Sequence, residues 1–489
     1  MAKTARGGQP PAFYSLAATS LGTGFATYGV SAILILYLYA APTAGLGCDR
    51  VAATQILAVF ATVGFIAGTA GSFAADRLVG MRKLVLAGNL IKAVGIAWLA
   101  VPGGGFAALW GSLALQVVGS GVCGQSLNAL AGALYDRDSP RRAAAFSLLY
   151  ITANIGAAAP LLTGAVALRF GYHVGFAVAA AVLVLSLVPY WWGQQRWFGS
   201  IGLAPVDPLP PVARRRLLAG AAATLAVLGS LAAVAGWRRW LSVAGVTAVI
   251  GWFSLALPVA YAAVMVSSAK TSANEARRVR YFVVFMIGNA ISIAVYGQAT
   301  GILALYAADS VRLTYFGLHL TPAGFQTVPA VFAILFGAAA SFAWTRLGRR
   351  QPSDTVKFGL GMVLWGLGPL FMAVPLAIFP AGVRVSPLWL VGFYALITLG
   401  EALTSPIGTA LATRIAPLAF TTQLVTVYAL SQAGGNGLAA LLVTLYRPGH
   451  EAAYFAVLGS VTVLFGLGML AWRKPLAAGV TSGLSRRSS

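Results

Sequence analysis

The sequence predicts an all-α protein that crosses a membrane many times. Three observations carry this: composition, the length of its apolar stretches and the placement of its bases. Of 489 residues, 59% are hydrophobic and 9% charged, where soluble domains carry about 25% charge. A span needs roughly 20 apolar residues to cross a hydrocarbon core of about 30 Å, and counting such stretches gives about fourteen. The net charge of +23 lies in short loops on alternate sides of the spans, the pattern that sets topology. It therefore speaks for attraction to anionic lipid and against nucleic acid. The 57 glycines fit helices that pack closely in lipid.

Taken in order, the first spans cover about residues 12–41 and 51–75, with Asp49-Arg50 between them on the outside. The inside loop around Asp76 to Lys83 leads to a third span, and a fourth runs over about 106–134. The loop Asp136 to Arg142 precedes the fifth span, and the sixth ends near Trp191-Trp192. Residues 194–214 are rich in Gly, Pro and Arg and read as a cytoplasmic linker. Two further spans, about 215–236 and 240–266, form a hairpin whose turn places Arg238 and Arg239 outside. The basic loop Lys270 to Arg280 returns to the cytoplasm, and six more spans follow, at about 281–307, 321–345, 357–380, 386–413, 418–446 and 452–472. The expected organisation is a six-helix bundle over 1–193, a linker with an inserted hairpin over 194–279, a second six-helix bundle over 280–472 and a disordered basic tail over 473–489, with both termini cytoplasmic. Met1 to Gln9 is short and polar and no cleavable signal peptide is expected.

The run Asp76-Arg-Leu-Val-Gly-Met-Arg-Lys83 after the second span is echoed by Arg346-Leu-Gly-Arg-Arg350 after the second span of the second half. Repeated six-helix halves with a solute site at their interface describe the major facilitator architecture. Within it, the chain resembles the proton-dependent oligopeptide transporter family. The matching residues are Tyr28-Gly29 with Ala32 to Leu38, Phe146 to Gly156, Thr345 to Ser353, Ser386-Pro-Leu-Trp389 and Leu399-Gly-Glu-Ala-Leu-Thr-Ser-Pro406. The two additional central helices are the arrangement of the bacterial members. The resemblance implies that Glu401 receives the substrate amino group, supported by Tyr28 and Asn154, and that Asp76 and Arg77 latch a cytoplasmic gate. It also implies charges that are missing here. The Glu-x-x-Glu-Arg cluster of the first helix reads Ser20, Thr23 and Gly24; the arginine facing the peptide carboxylate is Ser31; the lysine of the fourth helix falls at Gly124; the glutamate of the seventh is Gly297, next to the shared Gln298.

Glu401 is the one acid of ten Asp and Glu that lies deep inside an apolar segment. A carboxylate at that depth is costly and persists mainly where it faces a cavity or partner. It shares a helical face with Tyr394 and Ser405, and Pro406 leaves a nearby carbonyl without its helical donor. One reading is a carboxylate that pairs with a cationic ligand or takes up a proton without it; the rival is a protonated acid bonded to its helix neighbours. The first is favoured. Lys92, nine residues after Lys83, lies about 14 Å along a helix and so near mid-membrane. It could partner Glu401 or a substrate carboxylate, but snorkelling or a bond to Asn89 is the favoured reading. Polar side chains recur at helical spacing as Asn289, Ser292 and Tyr296, as Tyr428, Gln432 and Asn436, as Gln116 and Ser120, and as Tyr150 and Asn154. They could line a neutral hydrogen-bonding pocket or merely bond neighbouring helices, each bond worth about 1 kcal/mol or less.

The candidate substrate site is therefore Glu401, Tyr28, Asn154, Ser31, Tyr296, Gln298 and Gln432, with Glu401 also the candidate proton carrier and Asp76 and Arg77 the gate. No catalytic set, metal cluster, nucleotide loop or cofactor motif is recognisable. Cys48 and Cys123 give no disulfide or metal framework. The expected activity is secondary transport of a peptide-like or amine-bearing solute by a monomer in the cell membrane, with altered or absent proton coupling. An exporter of a specialised metabolite and a non-transporting sensor or assembly subunit are the alternatives.

Overall fold

A computed structural model describes residues 9–124, 126–136, 140–205, 208–237, 242–315, 317–380, 382–420 and 423–482. The helices are α1 Pro11–Tyr39, α2 Arg50–Arg77, α3 Met81–Ala100, α4 Gly105–Cys123, α5 Ser126–Ala133, α6 Pro140–Gly156, α7 Ala159–Phe170, α8 Tyr172–Trp197 and α9 Pro211–Trp237. They continue with α10 Val243–Ser267, α11 Ala273–Thr300, α12 Ile302–Ser310, α13 Val328–Leu347, α14 Asp354–Ile378, α15 Leu388–Ile415, α16 Gln423–Leu442, α17 Glu451–Ala471 and α18 Arg473–Val480. Among the described residues, twelve helical segments are long and apolar enough to cross a membrane; α9 and α16 are two further long helices. Helices thus stand at all fourteen expected places. The turn expected to expose Arg238 and Arg239, and part of the loop from Asp136 to Arg142, lie outside the described residues.

Three expected spans are each broken in two, and the sequence supplies the cause. Gly124 ends α4 at φ +47°, a conformation that side chains of L-residues rarely adopt. Pro160 opens α7 in its first turn, where its missing N–H costs nothing. Gly301 breaks α11 from α12 at φ −99°, ψ −97°. The start of α11 is fixed by a capping box in which Ser272 and Glu275 satisfy each other's backbone. A two-stranded antiparallel ladder, Thr314 opposite His319 and Tyr315 opposite Leu318, follows α12.

The chain divides into two compact units, Met1–Ile33 with Val63–Val246, and Leu34–Thr62 with Thr247–Ser489. In the first, α3 and α4 touch backbone to backbone. A Cβ at Gly88 would lie 2.5 Å from the Cys123 nitrogen, and one at Gly119 would lie 2.6 Å from the Lys92 nitrogen. Lipid gives helices no hydrophobic reason to associate, so small residues permitting such approach hold them together. In the second unit the same device joins α14 to α15, where a Cβ at Gly400 would lie 2.8 Å from the Gly361 carbonyl. Its core is aromatic, with Phe285 and Phe358 edge to face at 5.0 Å and Trp365, Phe393 and Tyr394 buried.

Two expectations are corrected here. Residues from Arg473, expected to be disordered, form α18, which buries Leu476 and Val480 against the second unit's core. An apolar residue every fourth position gives this short basic helix a docking face. Arg82, at the end of the expected inside loop, is no solvated loop charge: it is 2% exposed. Its guanidinium donates to the carbonyls of Ile201 at 2.6 Å, of Gln194 and of Gly199, and its own carbonyl accepts from the Tyr190 hydroxyl at 3.0 Å. Carbonyls at a helix C-terminus lack helical donors and favour a cation, so Arg82 closes α8 and folds back the linker. Arg82→Met should remove about 3 kcal/mol and lower the thermal midpoint in detergent by several degrees. Lys83→Met, at an exposed neighbour, should leave it within error.

Candidate functional site

Glu401 sits midway along α15, half-buried. Its position is set by the backbone contact at Gly400 and by Thr404. The Thr404 hydroxyl donates to the Gly400 carbonyl at 3.1 Å and accepts from the Trp365 indole at 3.2 Å. Thr404 also reaches the Glu401 carbonyl at 3.4 Å. The Glu401 carboxylate itself has no hydrogen-bond or ion-pair partner among the described residues. The rival reading, an acid bonded to its helix neighbours, is therefore not what the structure contains. Pro406 interrupts the helix one turn later, leaving the Ala402 carbonyl without its N–H partner. Tyr394 shares α15 but is fully buried, its hydroxyl bound to the Ala299 carbonyl at 3.3 Å.

The other candidates of the second unit divide into bonded and open side chains. Gln298 is fully buried and hooks α11 to α16, its amide 3.4 Å from both the Ala294 and Ala439 carbonyls, while its own oxygen is unpaired among the described residues. Asn289 donates to Ser431 at 2.7 Å across the same pair of helices. These are the interhelical bonds of the blander reading. Gln432 and Asn436 are half-buried on α16 with no side-chain partner among the described residues. Tyr296 is half-buried on α11 and is engaged in an interaction of its own.

In the first unit, Tyr28 is 43% exposed on α1. Asn154 is half-buried on α6 and donates to the Tyr150 carbonyl of its own helix at 2.9 Å. Ser31 is half-buried one turn beyond Thr27. Asp76 falls on α2 with its side chain outside the described residues; Arg77 is half-buried, and its carbonyl accepts from Leu209 of the linker at 3.1 Å.

Three positions where the resemblance expects charge are glycines, two of them with no room for a side chain and the third at a backbone angle that L side chains rarely adopt. A Cβ at Gly24 would lie 2.9 Å from the Ala153 carbonyl, because α6 crosses α1 there. Gly124 holds the positive φ that ends α4. A Cβ at Gly297 would lie 2.5 Å from that of Ala439 on α16. At Gly24 and Gly297 a neighbouring helix stands where a side chain would have to go.

Two features differ from the sequence reading or were missed by it. Lys92 neither snorkels nor bonds Asn89. It is 7% exposed and donates to the Thr27 hydroxyl at 2.6 Å, while Asn89 serves Thr23, Val85 and Cys123. The recurrence of Thr23, Thr27 and Ser31 every fourth residue was the available signal. The second feature is a clasp inside the second unit, at the Tyr39 end of α1. Arg50, first residue of α2, pairs with Asp309 near the end of α12. Tyr39 donates to the same carboxylate at 3.0 Å and lies under the guanidinium at 5.6 Å. Two charges at separate span ends gave no sequence signal of their meeting.

Comparison with known proteins follows the same lines. The POT family profile (PTR2) matches residues 82–459. A di-/tripeptide transporter of Lactococcus lactis is 30% identical over 482 residues, which is 96% of this chain and 96% of that protein. An uncharacterized transporter of Bacillus subtilis is 30% identical over 479 residues, 98% of this chain and 96% of its own. Among solved structures, the peptide transporter POT in complex with sulfate superposes with a TM-score of 0.94 at 33% identity, covering 98% of this chain and 97% of that one. A POT family transporter in complex with 5-aminolevulinic acid gives 0.92 at 27% identity, covering 96% and 98%.

The closed position at Gly297 can be checked directly. Gly297→Glu should cost about 1–3 kcal/mol through overpacking and lower the thermal midpoint. Adding Ala439→Gly should recover part of that loss. A single variant as stable as the parent would show that α11 and α16 have slack at this level.

Proposed function

The chain belongs to the POT family of membrane transporters, and from that premise we propose that it moves small peptide-like or amine-bearing solutes across the cell membrane by alternating access. The observation that carries this reading is Glu401: an acid within a membrane helix, fixed by its backbone contacts, whose carboxylate has no partner among the described residues. Such a group is stabilised by an arriving cation, and an ammonium held by a carboxylate in a low-dielectric setting forms a strong, short hydrogen bond. Gln432, also without a protein partner on α16, is suited to fix the solute's orientation by neutral bonds. A relative whose structure holds 5-aminolevulinic acid is consistent with recognition centred on an amine in place of a whole peptide.

Coupling to protons is altered in this reading. Acids and bases that the resemblance expects on the first, fourth and seventh helices are absent; at Gly24 and Gly297 a neighbouring helix leaves no place for them, and Gly124 holds a positive φ. Glu401 then serves both amine and proton, binding one at the expense of the other. In this reading both termini face the cytoplasm, the clasp of Arg50, Asp309 and Tyr39 lies outside, and Asp76 and Arg77 stand at the inner gate.

Two measurements follow. In liposomes with an imposed pH gradient, Glu401→Gln should lower uptake of an accepted solute at least about tenfold, the worth of one charge-assisted bond; undiminished, proton-dependent transport would sink the assignment. At the clasp, Asp309→Ala should speed modification of Cys48 by a membrane-impermeant maleimide. Arg50 and Asp309 are 27% and 36% exposed, so the expected gain is modest, roughly two- to fivefold. Cys123 is buried and should stay silent.

A further inference from the structure

The last helix of the second unit, α18, is short, basic and two-faced. Leu476, Gly479 and Val480 are buried, whereas Arg473, Lys474, Pro475 and Ala478 are exposed. The buried face lies on the first turns of α11. A Cβ at Gly479 would lie 2.3 Å from the Tyr281 ring, so that ring seats on bare backbone. The Arg278 guanidinium donates to the Ser482 carbonyl at 3.0 Å, just past the end of α18. Trp472, the residue before α18, brings its ring to 6.4 Å from that of Tyr281. Three contacts thus fix α18 against α11, at the membrane face where α11 begins and α17 ends.

This docking gathers charge. Arg277 and Arg280 stand three residues apart on α11, both exposed, so they share one side of the helix. The Arg277 guanidinium lies over the Tyr281 ring at 5.9 Å. Tyr281 therefore touches both a base of α11 and the helix that carries Arg473 and Lys474. None of these four bases has an acid within ion-pair distance among the described residues. Glu275, the one acid in this stretch of α11, is buried and spent on Ser272, Leu418 and Arg278. Bases gathered without a counter-charge repel one another, and an arriving anion relieves that repulsion. Trp472 sets the depth. It is 55% exposed beside the last apolar turn of α17, where an indole lies at the level of the lipid headgroups. A soluble anion would meet the bases and leave Trp472 unused; a phospholipid meets both.

We infer that α18 and the first turns of α11 form a binding site for an anionic phospholipid of the adjoining leaflet. Its phosphate takes charge-assisted hydrogen bonds from Arg277, Arg280, Arg473 and Lys474, and Trp472 lies against its glycerol and upper acyl region. The bound lipid covers the junction of the two helices and holds α18 down. Through Arg278 and Glu275 the same junction reaches the loop at Leu418 that leads into α16. This inference goes beyond the transport reading and requires no solute. It differs from the general attraction of a basic protein to an acidic surface because it belongs to one junction and four named bases.

The experiment measures the affinity of phosphatidylglycerol and of phosphatidylcholine for the purified full-length protein by native mass spectrometry. The parent should hold phosphatidylglycerol about tenfold or more tightly, since each base beside an anionic headgroup adds roughly fivefold. Replacing all four bases, Arg277→Gln, Arg280→Gln, Arg473→Gln and Lys474→Gln, should weaken phosphatidylglycerol about tenfold and leave phosphatidylcholine unchanged. Trp472→Ala should weaken both lipids alike. The control is Arg346→Gln with Arg350→Gln, an exposed basic pair elsewhere in the second unit, which should change neither affinity by more than about twofold. If the fourfold variant does not fold, each pair of bases is replaced separately and should cost about threefold or more. A parent that does not distinguish the two lipids, a fourfold variant that keeps the preference, or a control pair that loses as much, overturns the proposal. So does inorganic phosphate bound as tightly as phosphatidylglycerol, which would mark a site for free anions.

Discussion

A charge held inside a bilayer must be stabilised by something, and much of this structure follows from how two such charges are held. Placing an ionised side chain at the centre of a membrane helix costs about 3 kcal/mol on insertion scales and more on an isolated helix. Glu401 and Lys92 each carry that cost without an opposite charge within ion-pair distance among the described residues. Contrast Arg82, 2% exposed, whose guanidinium is answered by three carbonyls, and Glu275, answered by the Ser272 cap and the Leu418 N–H. Those two are structural. The helices hold Glu401 and Lys92 by their backbones and leave their charged ends to be answered by something else.

What holds those backbones is the small-residue contact. Gly400 against Gly361 pins the residue before Glu401, and Gly119 pins Lys92 itself. Neither contact touches the functional group, so each can be rigid while the charge stays available. The same device explains the missing family charges. At Gly24 and Gly297 the neighbouring helix occupies the space that a side chain would need, so placing a charge there means moving a helix.

The number and order of the spans were legible in the sequence because lipid imposes a length and a hydropathy that a window of residues records. The breaks at Gly124 and Gly301 were not, since a glycine in a membrane helix marks close packing as often as a turn. Glu401 was legible because a lone acid stands out against apolar neighbours. Lys92 was visible but misjudged: helical position gives its depth, whereas its meaning depends on which helix the side chain crosses toward, and that is set by the α3–α4 contact. The clasp of Arg50, Asp309 and Tyr39 was illegible for the same reason, since it joins residues some 260 positions apart.

The division of the candidate residues into bonded and open side chains carries the argument one step further. Gln298 and Asn289 looked as suitable for a pocket as Gln432 in the sequence, and all three lie on helices of the second unit. Yet Gln298 and Asn289 spend their donors on α16, whereas the Gln432 amide and the Glu401 carboxylate have no partner among the described residues. A solute can recruit a free donor or acceptor at little cost, but must break a protein bond to recruit an engaged one, and a buried partner left behind unpaired costs about 1–3 kcal/mol. Recognition should therefore concentrate on the few open groups. A site built that way is selective for the charge its ligand brings to the open group and tolerant of the rest.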